Sequence, residues 1–126
     1  MDFATCVRHF QTTENIGLIH PRPKRSVSVN QGHRRPSWFD IRRLPPGSSE
    51  FDEHGLSESV ALIENLILSQ VHAGIDSRRI VLAGFSQGAA LSLMVALTTL
   101  YFLGGVVSLS GWIPPPARHV SAHIIL

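Results

Sequence analysis

The sequence predicts an α/β domain with a mostly parallel sheet flanked by helices. Three observations carry that expectation. A stripe of apolar residues at helical spacing runs from Leu56 to Val71. A continuous apolar run, Ile80-Val81-Leu82-Ala83-Gly84, follows it, and a second apolar helix then leads into a second apolar strand. Strand, helix and strand in that order imply a right-handed crossover that buries a parallel pair beneath helices. The 126 residues suit one domain. With 44% apolar and only 16% charged residues, the chain is too apolar for a disordered tail and too weakly charged for a coiled coil.

Met1 to Phe10 contains Asp2, Arg8 and His9 and no apolar core, so a secretory signal is not expected. Asn15 to His20 reads as a short buried strand stopped by Pro21 and Pro23. Arg22 to Pro46 is rich in proline and arginine and reads as a long surface loop, with a brief β segment at Ser26–Val29. Trp38 and Phe39 within it predict that the loop packs down onto the domain.

Residues 52–73 form the clearest helix: Leu56, Val60, Ile63, Ile67 and Val71 draw one apolar face, and Gly74 suits the position after its end. Asp76-Ser77-Arg78-Arg79 is a polar turn into the strand at 80–84. The next helix is expected from Gly88 to Phe102, stopped by Gly104-Gly105. Val106 to Ser110 is a further strand, closed by Gly111-Trp112-Ile113-Pro114, and His123 to Leu126 looks like a strand beginning. No charged residue lies between Arg79 and Arg118, but glycines and prolines break that stretch too often for a membrane-spanning helix.

Charge and cysteine content narrow the functional classes. Residues 1–43 carry a balance of +5 and the remainder −3, for a net +2. Arg22, Lys24, Arg25, Arg34, Arg35, Arg42 and Arg43 are explained by a solvated loop as well as by a phosphate-bearing partner, and nucleic acid is not expected. Cys6 alone excludes an internal disulfide and a cysteine-built zinc site and favours a reducing compartment. His119 and His123 are four apart but fall in a segment leading into a strand, where that spacing separates them by about 13 Å; no metal site is expected. Asp40, in the loop, is read as a structural hydrogen-bonding residue.

The chemistry concentrates in Gly84-Phe85-Ser86-Gln87-Gly88, placed where a buried strand turns directly into a helix. A G-x-S-x-G turn there is sharp, needs residues without a Cβ on both sides of the serine, and throws its oxygen clear of the sheet edge. Ser86 is therefore the candidate nucleophile. The Gln87 backbone N–H, at a helix N-terminus, is the candidate oxyanion donor. Neither G-x-G-x-x-G nor Gly-Lys-Ser/Thr occurs, so a phosphate-binding loop is not expected.

Pro36-Ser37-Trp38-Phe39-Asp40-Ile41, Ile80 through Leu93, and Leu109-Ser110-Gly111-Trp112-Ile113-Pro114 resemble successive blocks of the acyl-protein thioesterase / lysophospholipase / carboxylesterase family. Ile19-His20-Pro21 and Val27-Ser28-Val29-Asn30 extend the resemblance. It spans about residues 15–126 and leaves 1–14 as an unmatched N-terminal segment. It implies a partial α/β-hydrolase fold, hydrolysis of long-chain acyl esters and thioesters without metal or other cofactor, and S-acylated proteins or lysophospholipid-like molecules as substrates. It further implies a cytoplasmic setting, with nuclear or peripheral membrane association as variants, and places Trp38 and Trp112 near the acyl-binding surface.

Departures from the family pattern set a second expectation. The His-Gly-Leu-Gly-type segment that supplies the second oxyanion N–H is absent, and Gln31-Gly32-His33 does not replace it. Triad order in this fold is serine, acid, histidine, yet Asp2, Asp40, Asp52 and Asp76 all precede Ser86, and only His119 and His123 follow it. The domain reads as truncated at both ends, with low turnover by this chain alone. The competing reading is a non-catalytic acyl-binding or interaction module built on the same fold.

Overall fold

The computed structural model describes residues 5–10, 16–23, 25–29, 33–41 and 52–117. Two helices and a four-stranded sheet form its centre. Strands β1 (Thr5–Phe10), β2 (Ile16–Ile19), β5 (Ile80–Phe85) and β6 (Gly105–Leu109) lie in the order β2-β1-β5-β6. Helix α1 (Glu53–His72) precedes β5, and α2 (Gln87–Thr98) connects β5 to β6. Strands β3 (Arg25–Val29) and β4 (His33–Ser37) make a separate antiparallel hairpin.

The α/β class is that expected, and β5 and β6 form the parallel pair joined by a helical crossover. The pairing differs on the other side of β5, where β1 runs antiparallel to both β5 and β2. The link between β1 and β2 is only five residues long, too short for the crossover that parallel neighbours require. β1 also places part of the 1–14 segment within the sheet.

α1 follows its sequence pattern closely. Asp52 caps it, one carboxylate oxygen accepting the Gly55 N–H at 2.9 Å. At the other end, Gly74 N–H bonds Val71 C=O and Ile75 N–H bonds Gln70 C=O, which is a Schellman closure, with Gly74 at φ +94°. Its buried Leu56, Ile63 and Ile67 join Ile80 and Leu82 of β5, Leu91 and Val95 of α2, and Trp38 and Phe39 in one core. Each such side chain contributes about 1.5–3 kcal/mol of apolar burial.

Two expectations are corrected. The stretch 22–46 is not one long loop: β3 and β4 pair in register from Arg25↔Ser37 to Val29↔His33. α2 ends at Thr98, not Phe102. Thr99 is already extended (φ −67°, ψ 149°), and Thr98 turns its hydroxyl onto the Met94 carbonyl at 2.7 Å. Two consecutive β-branched residues weaken the last turn before any glycine is reached. Gly104 instead starts the return to the sheet, donating its N–H to Ile80 C=O. The strand expected at His123–Leu126 lies outside the described residues, as do His119 and His123 themselves. No described helix is long and apolar enough to cross a membrane.

Candidate active site

The turn from β5 into α2 has the geometry that its five residues demand. Gly84 is buried, and a Cβ there would run into the Gly88 carbonyl and lie 2.6 Å from the Ala89 nitrogen. Both obstacles are backbone, so only glycine fits. Two residues on, Ser86 takes φ 52° and ψ −114°, a conformation L-residues rarely adopt and one that costs about 1–3 kcal/mol. Two hydrogen bonds hold it there. Ser86 N–H donates to Leu109 C=O at 2.8 Å, and Ser86 C=O accepts from Ala90 N–H at 3.0 Å.

The Ser86 side chain makes no cap to the helix it precedes. Ser86 is half-buried at the carboxyl end of β5, immediately before the N-terminus of a 12-residue helix. Gln87 is the first residue of that helix, where backbone N–H groups have no intrahelical acceptor and the dipole favours negative charge. An sp³ oxygen beside such a donor is an arrangement that can form and stabilise a tetrahedral acyl adduct.

The Gln87 side chain has a role that sequence reasoning missed. It is buried (2% exposed) and turns away from the helix to clamp the 37–40 segment. Trp38 N–H donates to its Oε1 at 2.9 Å, and its Nε2 donates to Phe39 C=O at 2.6 Å. Two residues of α1's N-terminal region complete the support: Ser59 Oγ donates to Trp38 C=O, and the second Asp52 oxygen accepts Asp40 N–H at 2.8 Å. A stretch of irregular backbone is thereby buried with its polar groups satisfied by three side chains.

The two tryptophans fall in different surroundings. Trp38 is completely buried (0% exposed), so it acts as a core anchor of the segment and offers no exposed ring face. Trp112 is half-buried and meets Phe39 edge to face, centroids 6.1 Å apart and planes at 82°. Because Gln87 bonds Phe39 and β6 bonds Ser86, this aromatic pair stands beside the elbow. Trp112 Nε1 is buried and has no acceptor among the described residues. Asp40 enters the network through its backbone N–H.

A groove of about 940 Å³ opens elsewhere, between His20-Pro21-Arg22 and the Glu58, Leu62 and Leu66 side of α1. Trp38 lies at its floor, but neither Ser86 nor Gln87 lines it, so volume and chemistry do not coincide in this structure.

The phospholipase/carboxylesterase family model matches residues 2–125. Acyl-protein thioesterase 1 of Yarrowia lipolytica is 40% identical over 124 residues, covering 98% of this chain and 55% of that protein. Acyl-protein thioesterase 1 of Cryptococcus neoformans var. neoformans is 47% identical over 103 residues, covering 79% and 43%. The crystal structure of Arabidopsis thaliana SOBER1 superposes with a TM-score of 0.68 at 32% identity, covering 76% of this chain and 47% of that one. The chain spans about half the length of the curated relatives it matches. From the strained serine at the elbow to the match along nearly its whole length, the observations agree: the chain belongs to the phospholipase/carboxylesterase family.

Proposed function

We propose that this chain acts as a serine hydrolase of carboxylic esters and thioesters, with Ser86 as the nucleophile. The observation that carries the reading is the elbow itself: a serine held at φ 52° between a buried strand and a helix N-terminus, with its hydroxyl left out of the cap. Strain of this kind persists only where the surrounding structure enforces it, and such residues cluster at active sites.

In the proposed reaction Ser86 Oγ attacks the acyl carbonyl carbon while its proton passes to a base. Negative charge collects on the carbonyl oxygen, where the Gln87 N–H receives it. Collapse breaks the C–S or C–O bond, the departing thiolate or alkoxide takes up the proton, and water then cleaves the acyl-serine by the same steps in reverse. Half-buried Trp112, backed by buried Phe39, offers an apolar surface for the acyl chain.

The name shared by the two fungal relatives supports S-acylated proteins as substrates, and the family's description supports phospholipid-derived esters as a second class. The single cysteine is consistent with a cytoplasmic setting. Within the sequence only His119 and His123 follow Ser86, so no base is assigned, and turnover by this chain alone is proposed to be low.

A fluorophosphonate probe with mass-spectrometric mapping tests the reading. Modification at Ser86, absent in Ser86→Ala, is the expected result. Folded protein that stays unmodified would overturn it and favour an acyl-binding module. Rapid hydrolysis of a nitrophenyl ester that disappears in Ser86→Ala would overturn the low-turnover part alone.

A further inference from the structure

At the edge of the sheet opposite Ser86, two large apolar side chains stand in the solvent. Leu100 is 97% exposed and Phe102 80%, both in the turn between α2 and β6. This turn is fixed, not dangling. Ser77 Oγ donates to Phe102 C=O at 2.8 Å, Gly104 N–H bonds Ile80 C=O, and the Gly104 backbone packs against the Arg78 carbonyl. Half-buried Tyr101 and Leu103 pack against the core from either side of Phe102. Alternate residues are thus pinned inward, which holds Leu100 and Phe102 outward.

The neighbouring 3₁₀ turn, Ser77–Arg79, brings cations to the same place. Arg78 is exposed and Arg79 half-exposed, and neither makes an ion pair with a described residue. Asp76, just before the turn, uses Oδ1 to accept Arg78 N–H at 3.0 Å, and after Arg79 no charged residue follows in sequence until Arg118. A projecting leucine and phenylalanine beside two arginines match a bilayer surface, with apolar tips for the acyl boundary and guanidinium groups for anionic headgroups.

We propose that the 99–104 turn together with Arg78 and Arg79 is a contact site for an anionic lipid surface. The site is independent of the role assigned to Ser86. Because β5 and β6 run parallel, the turn lies at their starts and Ser86 at their ends, about 16 Å or more away along the strands. Docking through this turn leaves the elbow at the opposite end of the sheet from the lipid.

Sedimentation with phosphatidylcholine vesicles, with and without phosphatidylserine, tests the proposal on the whole chain. The protein is expected to bind the mixed vesicles, and salt to weaken that binding. Leu100→Ser with Phe102→Ser should lower partitioning at least tenfold, as estimated roughly from lost apolar insertion. Arg78→Ala should lower it about fivefold and Arg78→Lys hardly at all. Both apolar substitutions are at exposed positions, so circular dichroism should be unchanged. Failure of the parent chain to bind either vesicle, or equal binding by the double variant, overturns the proposal. So does a concentration-dependent dimer in size exclusion that the double variant abolishes, since that would assign the patch to a second copy.

Discussion

Removing the Gln87 carboxamide should loosen the elbow from the 37–40 segment, and the size of the effect follows from its two bonds. In Gln87→Ala, Trp38 N–H and Phe39 C=O each lose the bond to the carboxamide in a region where Trp38 and Phe39 are fully buried. A buried polar group left unpaired costs about 1–3 kcal/mol. Allowing for water entering the space left behind, the expected loss is about 3 kcal/mol, or a fall of about 10 °C in Tm for a chain of this length. Urea titration followed by tryptophan fluorescence reads it directly, because Trp38 leaves a dry environment on unfolding. Gln87→Glu sharpens the test. Its carboxylate can still accept from Trp38, but only the protonated form can donate to Phe39 C=O. Folding therefore raises the pKa of Glu at this position above its unfolded value. The stability difference from the parent should be smallest in acid, below the ordinary carboxylate pKa, and should widen as pH rises through the elevated value. An alanine variant within about 0.5 kcal/mol of the parent, or a glutamate variant with no pH-dependent difference, would refute the clamp.

Other consequences of the geometry can be measured in the same way. Gly84→Ala forces a methyl into the Gly88–Ala89 backbone and should cost at least about 3 kcal/mol, with little soluble protein recovered. Ser86→Gly should move stability the opposite way, gaining about 1 kcal/mol in thermal unfolding as the φ 52° strain is relieved, while abolishing modification by the fluorophosphonate. Trp112→Phe removes a buried donor that has no described acceptor and keeps an aromatic ring against Phe39; it should unfold within about 1 kcal/mol of the parent, whereas Trp112→Ala should lose about 3 kcal/mol.

How far the sequence reveals this structure depends on whether each constraint is local. The elbow was readable because its glycine and serine are fixed by contacts within a few residues of one another. α1 was readable for the same reason: cap, stripe and Gly74 all lie along one helix. Gln87 was not, because the carboxamide bonds partners 48 and 49 residues away, and nothing in the pentapeptide distinguishes a buried amide from an exposed one. The hairpin carried an unread signal in Asn30-Gln31-Gly32, a three-residue connection ending in glycine, which the arginines and Pro36 around it obscured. The end of α2 is misread from the sequence because Gly104-Gly105 is the more conspicuous stop, whereas the Thr98-Thr99 pair ends the helix first. Trp38 in a polar segment signals docking but not its depth: the indole is core, whatever its neighbours in sequence suggest.

Asp52 has one carboxylate with two obligations, starting α1 and gripping Asp40 N–H across twelve positions. That shared group couples the first turn of α1 to the docked segment that bears Trp38 and Phe39, so that fraying at one end relaxes the other. Helix initiation and the placement of the elbow's support are in this way a single cooperative event hung on one side chain.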